Sequence, residues 1–146
     1  MRGLVQRVRE ASVTVAGEVV GAIGGGLCVL VGVTHGDTEA IARKLADKIW
    51  NVRIFDDDNG VMNRSVADTT QEVLIVSQFT LYADTSAGRR PSYIAAARPE
   101  VAEPLVEVVI AELRRLGATV ATGRFRTDML VSLTNDGPVT VMVELS

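Results

Sequence analysis

The side chains that most often carry chemistry are few and scattered in this chain. The 146 residues include a single His and a single Cys. His35 sits in Thr34-His35-Gly36-Asp37, between a strand pattern and a helix pattern. A turn residue is the plainer reading there, and a general base is the alternative. Cys28 lies mid-strand among apolar neighbours and reads as a buried structural thiol. One histidine and one cysteine make no zinc site of the common kind. No Gly-x-Ser-x-Gly elbow presents a serine nucleophile. Two other segments stand out: Ser77-Gln78-Phe79-Thr80-Leu81-Tyr82 and Asn135-Asp136-Gly137-Pro138-Val139-Thr140. Each sets small polar groups and backbone-specialised residues at the edge of an apolar strand. Neither is a nucleophile–base pair, so they point to a site built from main-chain groups.

The Thr80 hydroxyl as nucleophile needs a base or a lowered pKa, and the sequence sets no base beside it. Two readings of the segment stay open. Ser77 and Thr80 satisfy backbone groups where a strand ends, or main-chain N–H groups here bind a developing oxyanion. Asn135 to Pro138 is by itself a turn signal, because proline fixes φ and Asn or Asp closes an Asx-turn. The stretch 85–98 holds Arg89, Arg90 and Arg98 and no acidic residue. It is a solvated loop or a phosphate contact, since guanidinium binds phosphate bidentately. Asp56-Asp57-Asp58-Asn59-Gly60 makes a turn, because Gly60 occupies the place where a calcium loop needs a ligand.

These segments need elements to hold them. The first third reads as strands: Val13 and Val15 alternate with Ser12 and Thr14. The glycines between Gly21 and Gly26 suggest a hairpin, a tight connection between a strand at Val19-Val20 and the run from Leu27 to Val33. That run is apolar on both faces and belongs in the middle of a sheet. Ile41, Leu45, Ile49 and Val52 fall at helical spacing, with Asp37 as the expected N-cap. Val73 to Val76 is a buried strand running into Ser77. Ser92 to Ala97 suits a short helix. A longer helix begins between Pro99 and Pro104 and ends at Gly117. Ala118 to Ala121, Met129 to Leu133 and Val139 to Leu145 read as three last strands. The expectation is one α+β domain over residues 1–146, with a mostly antiparallel or barrel-like sheet and two principal helices.

Composition bounds the function. With 47% hydrophobic residues and a net charge of −3, the chain can build a core but shows no basic excess for a wide nucleic-acid face. DNA is not an expected partner. No apolar run reaches the roughly 20 residues of a membrane span, and Met1-Arg2-Gly3-Leu4 is no signal peptide. A soluble cytoplasmic protein without cofactor or metal is expected.

Taken together, the two segments resemble the D-aminoacyl-tRNA deacylase family, whose signatures are Ser-Gln-Phe-Thr-Leu and Asn-x-Gly-Pro-Val-Thr. Here these are Ser77 to Leu81, and Asn135 with Gly137 to Thr140. Val5 to Val8, Gly32-Val33, Lys48-Ile49, Arg53 to Phe55 and Gly88 to Ser92 are also similar to the family, so the likeness spans the chain. The resemblance implies hydrolysis of the ester joining a D-amino acid to the 3′-terminal adenosine of tRNA, and clearance of glycine from alanine tRNA, glycyl-tRNA(Ala). It implies a homodimer in which Gly137-Pro138 of one subunit, through a cis bond, enters the pocket made by Ser77, Gln78, Phe79 and Thr80 of the other and rejects L side chains. It implies that the ribose 2′-hydroxyl assists water attack while backbone amides near Phe79 and Thr80 bind the oxyanion. An older view of the family makes the threonine, here Thr80, a nucleophile. Arg89 and Arg90 are the expected tRNA contacts.

Overall fold

The computed structural model describes residues 1–146. The first strand, β1 (Arg2–Val15), turns back at Ala16 and Gly17, whose φ values of 49° and 81° make a two-residue hairpin. It leads into β2 (Glu18–Ile23) and β3 (Gly26–Gly32). These two do not pair with each other. They follow one another along one edge of β1, with Ala11 opposite Ile23 and Val8 opposite Gly26. The glycine run expected as a hairpin is therefore no hairpin but a kink in a nearly continuous partner strand of β1.

Its glycines serve close approach instead. A Cβ on Gly21 would strike the Thr122 backbone, and one on Gly26 would strike the Glu72 backbone. Those contacts let the sheet curl toward closure.

Helix α1 (Glu39–Asn51) follows, then a small hairpin of β4 (Phe55–Asp56) and β5 (Met62–Arg64). The N-cap is Thr38, whose hydroxyl accepts from the Ile41 N–H, and not Asp37. Asp37 is engaged elsewhere: its carboxylate takes the Met1 ammonium at 2.9 Å and the Thr34 N–H at 2.8 Å. The acidic turn holds Asp57, which accepts the Asn59 and Val61 N–H groups.

β6 (Glu72–Ser77) runs parallel to β3, and β7 (Val120–Thr122) runs parallel to β6. Between them lies α2 (Pro99–Leu116), opened by proline and closed by Gly117 at φ 113°. The sheet is thus mixed and barrel-like, with two helices, as the α+β expectation had it. Residues 92–97 form no helix. Thr34 bridges to Ala96, and the Ala97 N–H donates to the Val33 carbonyl, which pulls this stretch out as an extended turn.

The last strand is β8 (Leu130–Glu144), and it is continuous. Asn135 to Pro138 is no turn between two strands. It is an interruption in one strand paired along nearly all of β1, with register shifts around Val8. The Gly137–Pro138 bond is cis.

The sheet sorts its apolar residues by alternation. Leu27, Val29, Val31, Val73 and Ile75 face the helices with Leu45, Ile49, Val109 and Leu113. Cys28, Leu74 and Val76 face the other way, with Val8, Val13 and Ile23. No helix is long and apolar enough to cross a membrane.

Candidate active site

The parallel ladder of β3 and β6 ends with Val31 beside Ser77. There the chain leaves the sheet. The Gln78 N–H makes one last bond to the Val31 carbonyl at 2.8 Å, and Phe79 to Tyr82 winds into a single 3-10 turn. At its two ends the turn is closed by the Leu81 and Ala83 N–H groups, which donate to the Gln78 and Thr80 carbonyls. The N–H groups of Phe79 and Thr80 donate to no protein group. They are the two first-turn donors that a helical start leaves unpaired.

This turn walls a cavity of about 660 Å³, within the range of small-molecule sites. Val31 and Val33 come from the end of β3, Arg98 and Pro99 from the start of α2, and Phe125 to Met129 from the loop before β8. Ser77, Gln78 and Phe79 line it, and Thr80 does not. The Thr80 hydroxyl accepts a hydrogen bond from the Gln78 side-chain amide. No histidine, cysteine, lysine or glutamate lines the cavity, and its one carboxylate is Asp128.

The other sequence candidates lie apart. His35 donates from Nε2 to the Ile94 carbonyl at 2.8 Å, so it is a tether for the loop across the cavity. The Thr34 hydroxyl adds a bond to the Ala95 carbonyl at 2.6 Å. Cys28 is buried in the strand, and burial pushes its thiol up to about 11. It stays protonated and unreactive at neutral pH. Arg89 and Arg90 are exposed on the loop 85–91, which two bonds between Asp84 and Ser92 close at its base. Gly137 and Pro138 are exposed on β8 and line no part of this chain's own cavity.

Several positioning residues escape a reading of the sequence. Gly32 lies under the 3-10 turn, where a Cβ would sit 3.0 Å from Leu81 Cβ and 3.2 Å from the Gln78 carbonyl. Its signal was a glycine closing a fully apolar strand. Arg2 donates to the Leu81 carbonyl at 2.7 Å and stacks on Tyr82 at 4.5 Å, tying the turn to β1. Arg7 is buried and holds the Asn135–Pro138 interruption. Its Nη1 donates to the Ile54 carbonyl at 2.8 Å, and its Nε lies 3.2 Å from the Asp136 carboxylate. The Asn135 amide returns to the Arg7 carbonyl at 2.9 Å and the Val139 carbonyl at 3.1 Å. An arginine in register with Gly3 and Val5 on the buried face of β1 was the clue.

The family model described as D-Tyr-tRNA(Tyr) deacylase matches residues 4–144. A D-aminoacyl-tRNA deacylase of Roseiflexus sp. (strain RS-1) is 60% identical over 144 residues, covering 99% of this chain and 93% of that protein. One from Nocardia farcinica (strain IFM 10152) is 62% identical over 147 residues, covering 99% of each. A solved structure named c-Myc DNA Unwinding Element Binding Protein superposes with a TM-score of 0.95 at 40% identity, covering 100% of this chain and 99% of that one. A second, of a probable eukaryotic D-amino acid tRNA deacylase, reaches 0.85 at 17% identity over 99% and 98% of the two chains, and shares the fold. The match runs through β1, the strand-end turn and the β8 interruption alike, and on it the chain belongs to the D-aminoacyl-tRNA deacylase family.

Proposed function

We propose that this chain hydrolyses the ester between a D-amino acid and the 3′-terminal adenosine of tRNA, releasing free amino acid and free tRNA. Family membership supports the reaction class. One observation carries the mechanism: the Phe79 and Thr80 N–H groups are unpaired beside a cavity that lacks the usual side-chain bases. Two fixed donors suit a tetrahedral oxyanion, because they need no reorganisation as charge develops. The base is then supplied by the substrate. The 2′-hydroxyl next to the ester assists water attack, and the protein contributes position. Asp128 is the only protein group on the cavity wall that offers a rival base. Asp128→Asn together with a tRNA ending in 2′-deoxyadenosine separates the two. Loss with the deoxy substrate and retention in Asp128→Asn support RNA assistance; the reverse pattern assigns the base to Asp128.

The working unit in this reading is a homodimer. On the face away from the helices, Leu4, Leu30 and Met142 stand at paired positions of three adjacent strands, none of them fully buried. A second copy covering this face by two-fold symmetry presents the same patch to itself. Gly137 and Pro138, exposed and unused by their own cavity, then reach the partner's Ser77–Phe79 wall. Set there, they obstruct an L side chain and admit a D side chain or the bare hydrogen of glycine, which extends the substrates to glycyl-tRNA(Ala). Arg89 and Arg90 supply contacts to the RNA backbone.

Matched D- and L-aminoacyl-tRNA assays test the selectivity, and equal rates end the proposal. Duplex DNA as competitor tests the nucleic-acid class, and inhibition matching that by tRNA would move the reading toward general nucleic-acid binding. Subunit mixing tests the shared site. A Cβ on Gly137 meets only Asn135 Oδ1, at 3.4 Å, so the protomer has room for the first side-chain carbon of Gly137→Val, and the added bulk would fall on a partner's pocket. Co-refolding inactive Gly137→Val with inactive Gln78→Ala/Phe79→Ala should restore about a quarter of wild-type activity. Half of the dimers are then mixed, and one of their two sites is intact. No recovery in verified mixed dimers would refute a shared site.

A further inference from the structure

Two arginines on the wall of the cavity have no counter-ion. Arg98 is the N-cap residue of α2, at the positive end of an 18-residue helix dipole. Arg126 stands on the loop between β7 and β8, which forms another wall. Both side chains are exposed, and neither lies within ion-pair distance of a carboxylate, although Asp128 shares the same wall. Arg126 also has a φ of 58°, the left-handed region that favours glycine. A long cationic side chain at a backbone position better suited to glycine means that the loop accepts a conformational cost to present it.

We propose that Arg98 and Arg126 bind the phosphate on the 5′ side of the terminal adenosine. The inference rests on the aminoacyl-tRNA reading above and deepens it. If the ester lies against the Phe79 and Thr80 N–H groups, the adenosine fills the cavity and its 5′-phosphodiester leaves past the opening. A guanidinium there meets phosphate in a bidentate fork, while lysine would act as a point charge. The two arginines and Asp128 give the lining a formal excess of one positive charge, in a chain whose net charge is −3. The cavity is therefore locally matched to a monoanionic phosphodiester, whereas the chain as a whole repels RNA. Arg98 and Arg126 thus set the register of the terminal nucleotide, and Arg89 and Arg90 are left to more distant phosphates.

The experiment compares two small substrates: D-tyrosyl-adenosine esterified at the ribose, and the same compound bearing a 5′-phosphate. The readout is the ratio of their kcat/KM values. Wild type should favour the phosphorylated compound by about 10- to 100-fold, the range expected for charge-assisted bonds. Arg98→Ala and Arg126→Gly should each move the ratio toward one, mainly through KM. Glycine is chosen at 126 because it keeps the backbone free to hold its positive φ. Arg98→Lys and Arg126→Lys should recover part of the preference. A wild-type ratio near one, or a ratio unchanged in Arg98→Ala and Arg126→Gly, overturns the proposal. Wild type that cleaves neither compound nor D-aminoacyl-tRNA overturns the underlying reading instead.

Discussion

Thr80→Ala separates the two mechanisms that the strand-end segment allows. The hydroxyl has one protein partner, the Gln78 side-chain amide. That amide is only half-buried, so water can replace the missing acceptor. A neutral hydrogen bond of this kind contributes about 0.5–1.5 kcal/mol net. If all of it were felt at the transition state, the rate would fall by roughly 2- to 12-fold, at about 1.36 kcal/mol per tenfold. The Thr80 N–H and its partner on Phe79 remain in place. Removing a true nucleophile costs far more, on the order of 10⁴- to 10⁶-fold. The two outcomes are thus separated by about three orders of magnitude. Single-turnover deacylation of D-tyrosyl-tRNA measures this directly, with circular dichroism confirming the fold. The companion substrate, a tRNA ending in 2′-deoxyadenosine, should react about 10²- to 10⁴-fold more slowly with wild type, the usual size of general acid–base assistance. Thr80→Ala activity below a thousandth of wild type, with the deoxy substrate turning over normally, would refute the main-chain mechanism and restore the hydroxyl as nucleophile.

Three further outcomes follow from the geometry. Gly32→Ala places a methyl 3.0 Å from Leu81 Cβ and 3.2 Å from Tyr82 Cδ2, so the 3-10 turn that carries the proposed donors must shift. Overpacking of this kind costs about 1–3 kcal/mol, and kcat should fall about tenfold as the N–H donors move; unchanged kcat and Tm together would show the turn to be tolerant. Cys28 is raised by burial from 9.0 to about 11, so above the ordinary thiol range the unfolded chain loses its proton before the folded one does. Stability is therefore full below about pH 8.5 and declines as pH rises toward 11, by up to about 3 kcal/mol. Tyr82, pushed up to about 12 mainly by burial, adds the same sign only above pH 10. Urea midpoints between pH 8.5 and 10 should fall in wild type and stay flatter in Cys28→Ala, and parallel curves would count against the thiol. Arg89→Ala/Arg90→Ala should lower the slope of log affinity for tRNA against log salt by about one for each phosphate that the arginines neutralise; an unchanged slope returns both to a solvated loop.

Local features were legible where local chemistry decides them. The apolar run from Leu27 to Val33 is central because both of its faces are covered, one by the helices and one by the smaller core. Pro99 opens α2 and Gly117 closes it, as the missing N–H and the positive φ require. Features set by distant partners were not legible. The stretch from Ser92 to Ala97 has the composition of a short helix, yet Thr34, His35 and Val33 capture its carbonyls and an N–H from across the chain. Asp37 has an N-cap's composition but is taken by the N-terminal ammonium, and Thr38 caps the helix instead.

Read as residues alone, the chain narrowed the kinds of site it could hold. It holds one histidine and one cysteine, each in a setting unsuited to catalysis, and it puts Ser77 to Thr80 where a buried strand stops. Those facts left two readings open, backbone satisfaction at a strand end or main-chain donors for an oxyanion, and assistance from the substrate entered only with the family resemblance. The tertiary structure decided which donors are free and where the second segment goes. Phe79 and Thr80 keep their N–H groups unpaired because the hydrogen bonds of the turn begin only at Leu81. Asn135 to Pro138 has every local mark of a turn, yet β8 continues through it, because β1 pairs on both sides and Arg7 and Asn135 bridge the gap. Turn propensity is a property of a few adjacent residues. Whether a strand survives it depends on hydrogen bonds to a partner more than a hundred positions away, and only the folded chain brings that partner alongside.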